Sequence, residues 1–168
     1  MKKLIVLVAS VFMLQACDDG DITLESFNFD TATIQNCTDN NLVFKINDKE
    51  LLLISIPESS FLNEETPDGS PRIINVGTTN QIIYRLYSGN VSSATICSTL
   101  PPASPVVEKE WNASGGTIEI ITDALYDVDG ITINGYTHNI KFKNVNFSNP
   151  DNSFSFTEYI FGNYETDL

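Results

Sequence analysis

The stretch "NLVFKINDKELLLISI", residues 41–56, contains the pattern that decides the fold. Within it Leu42, Phe44 and Ile46 alternate with side chains that point the other way, which is the period-two pattern of a β-strand. The polar trio at 47–49 then turns the chain, and the apolar run "ELLLISI" that follows is typical of a buried strand. The stretch therefore predicts two strands joined by a tight turn.

The rest of the chain after residue 16 shows the same mixture of short apolar segments and turn residues. "PESSFLNEETPDGSP" (57–71) predicts a surface loop that has room for a short helical turn but not for a core helix. "TLPPASP" (99–105) cannot donate a continuous ladder of hydrogen bonds, because of its prolines, and predicts a loop that crosses between strands. The other segments predicted as strands are, in chain order, "SFNFD" (26–30), "RIINV" (72–76), "QIIYRLYS" (81–88), "VSSATICS" (91–98), "VVEKEW" (106–111), "TIEIIT" (117–122), "ITI" (131–133), "YTHNIKF" (136–142) and "SFSFTEYIF" (153–161).

Turn residues between these segments predict how the strands are connected. Asn134-Gly135 is the strongest hairpin signal, because both residues tolerate a positive φ. Residues 112–116 predict a hairpin-like connection, and Asn149-Pro150-Asp151-Asn152 predicts a turn.

The segment that begins at Tyr136 changes phase, because Ile140 and Phe142 share one face and the next apolar pair comes one residue late. A bulge near Lys143-Asn144 is expected to restore the order of inward and outward side chains. About ten strands and no periodic helix predict an all-β fold for residues 23–168: a single antiparallel β-sandwich or an open barrel.

The first sixteen residues, "MKKLIVLVASVFMLQA", have the composition of a secretory signal peptide. Two lysines precede an apolar core from Leu4 to Leu14 that only Ser10 interrupts. A transmembrane anchor is the alternative, but the apolar core is shorter than the roughly 20 residues that a bilayer requires. We therefore predict that residues 1–16 are removed.

The residues "LQAC" resemble the lipobox of bacterial lipoproteins, with Leu14 and Ala16 before Cys17. The resemblance implies cleavage after Ala16 and acylation of Cys17, and several acyl chains together anchor a protein stably where one does not. An ordinary secreted protein with a spare cysteine is the alternative. Residues 17–22 are then an acidic tether, which resembles the surface-export signals of flavobacterial-type lipoproteins and implies an outer-membrane location, periplasmic or external.

Longer stretches support the same resemblance over the full chain. They are "CDDGDI" (17–22), "YRLYSGNV" (84–91), "ICSTLPPASPVV" (96–107) and "EWNASGGTIEI" (110–120). Together they are similar to small lipoproteins of the flavobacterial type, which implies a location and a fold but no activity. Asp30-Thr31-Ala32 also resembles the acceptor pattern for O-glycosylation in such exported proteins, so Thr31 is a candidate modification site or a plain turn residue.

Charge and cysteine content narrow the class of partner. Loss of Lys2 and Lys3 with the leader leaves seven basic and 22 acidic residues, a net charge of −15, which argues against nucleic acid and against anionic lipid as partners. Cys37 and Cys97 remain as an even pair in an oxidising compartment, which favours a disulfide worth about 4 kcal/mol. Two free thiols are the alternative. The absence of a CxxC pair argues against structural zinc.

Candidate catalytic groups are few. His138 is the single histidine and has no nucleophile motif beside it, so a structural role is favoured over general-base chemistry. Glu108 and Glu110 share a strand face, which suits glycoside hydrolysis but also a solvated face. The aspartates at 123, 127 and 129 lack the bidentate glutamate of a calcium loop, so turn formation is favoured and no metal is predicted.

Core packing explains most of the tyrosines and Trp111, and the alternative is a sugar-stacking platform around Trp111 at the mouth of a hairpin. We expect an outer-membrane lipoprotein with a non-catalytic binding, adhesion or structural β-domain and no cofactor, which meets a glycan or a protein through its loops. A small envelope hydrolase acting on glycan is the alternative.

Overall fold

A computed structural model describes residues 27–40 and 42–168 of the chain. The predicted signal peptide (1–16), the tether (17–22) and the acylation site Cys17 lie outside these residues. Among the residues that are described, no helix has both the length and the apolar character needed to cross a membrane.

The fold is all-β, as predicted. The residues that the structure describes form nine strands: β1 (Ile34–Asn36), β2 (Leu42–Asn47), β3 (Glu50–Ser55), β4 (Arg72–Asn75), β5 (Gln81–Tyr87), β6 (Val107–Ser114), β7 (Thr117–Tyr126), β8 (Ile133–Ser148) and β9 (Ser153–Asp167). A one-turn helix, α1 (Ser93–Ile96), and a 3-10 turn at Glu58–Ser60 are the helical elements of the described part. The 3-10 turn lies in the loop 57–71, where a short helical turn was expected.

The strands form one antiparallel sheet that curls into a half-barrel. Its order is β1-β2-β3-β5-β6-β8-β7-β4, and β9 pairs with the other edge of β8. The β2–β3 hairpin is confirmed: Asn47 pairs with Glu50 across a two-residue turn in which Asp48 has a φ of 51°. The β8–β9 turn is confirmed as well, because the Asn149 side chain accepts hydrogen bonds from the backbone of Asp151 and Asn152.

β6 and β7 follow each other along the same side of β8 and do not form the predicted hairpin. Asn112 pairs with Ser148 and Thr117 with Lys143, so one continuous register runs through the two intervening glycines. The connection 112–116 is therefore a kink within a long strand. Asn144, opposite the kink, has a φ of 52°, and the inward phase of β8 changes there as expected, although no register shift accompanies it.

Three other local predictions are wrong. Phe27 and Phe29 of "SFNFD" lie in irregular chain, although both rings pack into the core. "VSSATICS" contains α1 and no strand. Asn134-Gly135 lies inside β8, where Gly135 pairs with Leu125 on one side and Asp167 on the other, and the turn is formed earlier, by residues 127–132.

The curled sheet encloses a large inner core. Its fully buried aromatic and aliphatic side chains come from strands along the whole sheet, including Ile54, Trp111, Phe142 and Phe161, and Phe29 joins them from the irregular chain before β1. A second, smaller outer core lies on the convex face of β2, β3 and β5, and consists of Cys37, Phe44, Leu51, Leu53, Ile83 and Tyr87. The apolar run of β3 is explained by this arrangement, because both of its faces are buried.

Candidate functional site

The outer core is closed by residues 88–106, which we call the cover segment. The segment leaves and rejoins the sheet at one point, where the Ser88 N–H donates to the Val106 carbonyl over 2.9 Å. Its other attachments are the Val91 N–H, which donates to the Asp48 carbonyl over 3.0 Å, and the disulfide Cys37–Cys97. α1 places Ile96 against the outer core between these attachments.

The cover segment does not fill the space above the sheet and leaves a cleft of about 430 Å³. The sheet contributes Leu42, Leu53, Arg85 and Tyr87 to this cleft. The cover segment and the start of β6 contribute mainly apolar side chains: Thr95, Ile96, Ser98, Pro101, Pro102, Pro105, Val106 and Val107. Leu100, Val106 and Val107, in the cover segment and at the start of β6, are exposed, so apolar surface lies in and next to the cleft.

One ion pair borders this apolar cleft. The Arg85 Nε donates to Glu110 Oε2 over 2.6 Å, and the Asn112 amide donates to the other carboxylate oxygen over 3.2 Å. Burial alone would raise the pKa of Glu110, but the hydrogen bonds from Arg85 and Asn112 outweigh it and hold that pKa below its usual range. An apolar floor with a few fixed polar groups is the composition of a ligand-binding pocket.

The predicted disulfide between Cys37 and Cys97 is confirmed, with the two Cα atoms 5.4 Å apart. It joins the chain just after β1 to the end of α1. The bond therefore ties the cover segment to the sheet, a role that cysteine counting did not indicate.

Trp111 is buried and not available for sugar stacking, so core packing, which the sequence favoured for most of the aromatic residues, applies to it as well. Its side chain is only 1% exposed and packs against Tyr84 in the inner core, with ring centroids 5.0 Å apart. The indole N–H donates to Asn152 Oδ1 over 2.6 Å. Since the β6–β7 connection is a kink, there is no hairpin mouth for Trp111 to occupy.

His138 lies in a fully buried position at the other end of the sheet, within a chain of hydrogen bonds. Arg72 Nη1 donates to Thr122 Oγ1 over 2.6 Å, and Thr122 Oγ1 lies 2.8 Å from His138 Nδ1. On the far side, His138 Nε2 lies 3.0 Å from Thr166 Oγ1, which donates to Asn63 Oδ1 over 2.8 Å.

These donor directions assign the neutral tautomer of His138 with the proton on Nε2, so that Thr122 donates to Nδ1 and Thr166 accepts from Nε2. Burial, with a smaller contribution from Arg72, lowers the pKa of His138 to about 4. Both ring nitrogens are engaged and the ring is enclosed, with Phe61 packed edge-on at 5.5 Å. The chain of hydrogen bonds attaches the loop 57–71 to β7, β8 and β9, which is a structural role.

The remaining acidic candidates do not converge. Glu108 is exposed, and Glu110 is engaged by Arg85 and Asn112. In the loop 127–132, Asp129 accepts hydrogen bonds from the Thr132 hydroxyl and from the backbone of Thr132 and Ile131, and these contacts lower its pKa to about 2. Within residues 27–40 and 42–168, no group of three or more His, Cys, Asp or Glu side chains is placed to hold a metal ion.

Thr31 lies exposed in a turn closed by a hydrogen bond from the Ala32 N–H to the Phe29 carbonyl, 3.1 Å long. A modifying enzyme would have access to its hydroxyl. Glycosylation of Thr31 stays a prediction.

Comparison of the chain with protein-family models, with curated proteins and with solved structures found no match in any of the three. The site therefore rests on geometry alone. Sequence analysis identified "TLPPASP" as a loop that crosses between strands, but it did not place the loop over the outer faces of β2, β3 and β5. The available signal was the unbroken apolar run of β3, which requires something to cover its second face.

Proposed function

We propose that this chain is an acylated lipoprotein of the outer membrane, anchored through Cys17, and that its β-domain binds a ligand in the cleft without catalysing a reaction. The sequence supports the anchor through the basic and apolar leader, the "LQAC" match and the acidic tether. The disulfide between Cys37 and Cys97 supports an extracytoplasmic location, because disulfides persist in oxidising compartments.

The cleft is the observation that supports binding. It is concave, mostly apolar, and framed by a segment that is attached to the sheet at Ser88, Val91 and Cys97. Because these attachments fix the cover segment, little chain has to be ordered when a ligand enters. The apolar lining and the Arg85–Glu110 pair favour a ligand with an apolar body and a hydrogen-bonding edge, such as a glycan ring face or a short peptide.

A glycan hydrolase, the alternative, receives less support. A general acid in such an enzyme needs a raised pKa, and the pKa of Glu110 is lowered. His138 is buried, and both of its ring nitrogens are already hydrogen-bonded within the fold.

The anchor is tested by growing cells that produce the full chain with labelled palmitate. Label is expected on the wild-type protein and is expected to be absent from the Cys17→Ala variant. A wild-type protein without label, or one released into the medium with its leader cut elsewhere, contradicts the anchor.

The cleft is tested by probing glycan and peptide arrays with the detergent-solubilised full-length lipoprotein. Val107→Trp places an indole at the cleft wall and is expected to weaken any array signal about tenfold or more, by filling apolar space that the ligand uses. Ile160→Trp, on the exposed face of β9, is the matched control and is expected to leave the signal unchanged. A signal that both variants retain shows that the ligand binds elsewhere.

A further inference from the structure

The last residue of β7 and the loop to β8, residues 126–132, expose apolar side chains that no other described residue covers. We call this loop the distal tip. The exposed fractions of Val128, Ile131 and Tyr126 are 103%, 82% and 50%. Leu62, on the loop 57–71, is also exposed. The next residue, Asn63, donates its amide to the Asp167 carbonyl, and Asp167 pairs with Gly135 at the start of β8, close to the tip. Scattered single apolar residues are normal on a surface, but several at one end of a sheet mark an interaction site.

The distal tip is held in one conformation by its own polar groups. Asp129 Oδ1 accepts from the Ile131 and Thr132 N–H groups at 2.9 and 2.8 Å, and Oδ2 accepts from the Thr132 hydroxyl at 2.6 Å. The Asp127 N–H donates to the Thr132 carbonyl and its carbonyl accepts from the Gly130 N–H. The hydrogen bonds of the loop therefore hold Val128 and Ile131 at the surface, although no core packs beneath them. A partner that binds them would order little additional chain, so the cost in conformational entropy is small.

The distal tip and the entry of the chain into the fold are at opposite ends of β8. Phe27 packs against Phe147 and Phe156, with ring centroids 5.8 and 4.9 Å apart, next to the turn that follows Ser148. The tip precedes Ile133, at the other end of this strand. If the segment before Phe27 is anchored as proposed above, the tip is the end farther from the attachment along β8.

Charge around the distal tip selects the kind of partner. Asp127 and Asp129 lie in the tip, and further acidic side chains lie on the adjoining strands and on the loop 57–71: Glu64, Glu65, Asp123, Glu165 and Asp167. Arg72 is the basic residue that the structure places nearby, and it is engaged by Thr122 and by the Glu64 carbonyl. Such a surface repels a second copy of itself and an anionic membrane, whereas it attracts a basic protein surface.

We propose that the distal tip is a docking element that inserts Val128 and Ile131 into an apolar pocket with a basic rim on a partner protein. The apolar side chains supply binding energy by leaving water, and the surrounding acids supply orientation and selectivity. The proposal concerns a surface separate from the cleft, and its exposure and charge do not depend on the lipid anchor.

The test places the photoreactive residue p-benzoyl-phenylalanine at position 128 of the full chain, with position 160 on β9 as the matched exposed control, and irradiates intact cells. We expect position 128 to cross-link to another protein through a peptide that combines apolar residues with Lys or Arg. Combining the probe with Ile131→Asp is expected to lower the yield about tenfold or more, because a buried isoleucine contact is lost. High salt applied before irradiation is expected to lower the yield as well.

The remaining outcomes overturn the proposal. They are a yield at 128 no greater than at 160, cross-links to lipid, cross-links to a second copy of this chain, and a yield that Ile131→Asp leaves unchanged. Both probe positions and Ile131 are exposed, so the variants are expected to fold, and circular dichroism checks this. Failure of this test leaves the palmitate and array experiments unaffected, which distinguishes the two proposals.

Discussion

The two halves of the curled sheet bury their residues differently. In β2, β3 and β5 both faces are covered, the concave one by the inner core and the convex one by the cover segment. In β7, β8 and β9 only the concave face is buried. On the convex face, Lys141 and Lys143 form ion pairs with Glu158 in solvent.

This difference determines both the sequence pattern and the location of the candidate site. The half with two buried faces has apolar residues at four consecutive positions of β3, 51–54, whereas β7 alternates between inward and outward side chains over 117–122 and β8 alternates on either side of Asn144. A second buried face also requires a second layer, and here that layer is a short irregular segment held by a disulfide. Because this layer packs less completely than a sheet or a helix would, the cleft lies beneath it.

Among the tests of this difference, removal of the disulfide is expected to lower the free energy of unfolding the most. The double variant Cys37→Ala and Cys97→Ala, with Cys17 intact, should lower the free energy of unfolding by about 4 kcal/mol, because the unfolded chain loses a long cross-link. Urea unfolding measures the change. Hydrogen exchange should accelerate first at the amides of the cover segment, while β7 and β8 stay protected. A loss below about 1 kcal/mol contradicts the structural role of the bond.

Truncation on the convex face is expected to distinguish the two halves directly. Phe44→Ala should cost about 3–4 kcal/mol, because Phe44 is fully buried in the outer core and leaves a cavity. Ile160→Ala, on the convex face of the other half, is 59% exposed and should change the free energy of unfolding by less than about 0.5 kcal/mol. Similar costs for both variants in urea unfolding would show that the cover segment does not make a core.

Local patterns were sufficient to predict the fold class, the β2–β3 hairpin, the β8–β9 turn and the disulfide. In each of these, the residues that determine the structure are adjacent in sequence or chemically restricted to one partner. The alternation of Leu42, Phe44 and Ile46 is set by one strand and its neighbours, and no distant segment competes with it. The cysteine pair was predictable because only two thiols remain once Cys17 is assigned to acylation.

The errors occurred where distant segments decide between locally equivalent alternatives. Asn134-Gly135 tolerates a turn, but Asp129 caps a competing turn a few residues earlier, and Gly135 is needed because a Cβ there would lie 2.6 Å from the Thr166 carbonyl oxygen. The glycines at 115–116 permit a positive φ but do not say whether the chain reverses or only bends. For the candidate site, the sequence left Trp111 open as either a core residue or a ligand contact, because it does not show that Asn152 accepts the hydrogen bond of its indole N–H within the fold.

Acidification is expected to weaken the half that contains His138. The unfolded histidine binds a proton below its ordinary pKa of 6.5, whereas the folded one does so only near 4, so the unfolded state binds more protons between these values. Stability is therefore retained above pH 6.5 and lost as the pH falls towards 4, by about 3 kcal/mol.

Urea unfolding at several pH values measures this effect, and the control is His138→Gln, in which the same carboxylates titrate without the histidine. Wild type should lose more stability than the variant between pH 7 and 4. Parallel curves for the two proteins would contradict the buried neutral histidine.

Substitutions at the kink between β6 and β7 are expected to change the free energy of unfolding the least, and two adjacent glycines there serve as each other's control. Gly115 and Gly116 both have a positive φ, at 69° and 78°, so alanine at either should cost about 1 kcal/mol from the backbone conformation alone. A Cβ at Gly116 would also lie 2.5 Å from the Lys143 carbonyl oxygen, whereas a Cβ at Gly115 would meet nothing within 4 Å. Gly116→Ala should therefore lower the free energy of unfolding by about 2 kcal/mol and Gly115→Ala by about half of that. Equal costs in urea unfolding would mean that β8 does not approach the kink, and the continuous register of β6 and β7 along β8 would then be wrong.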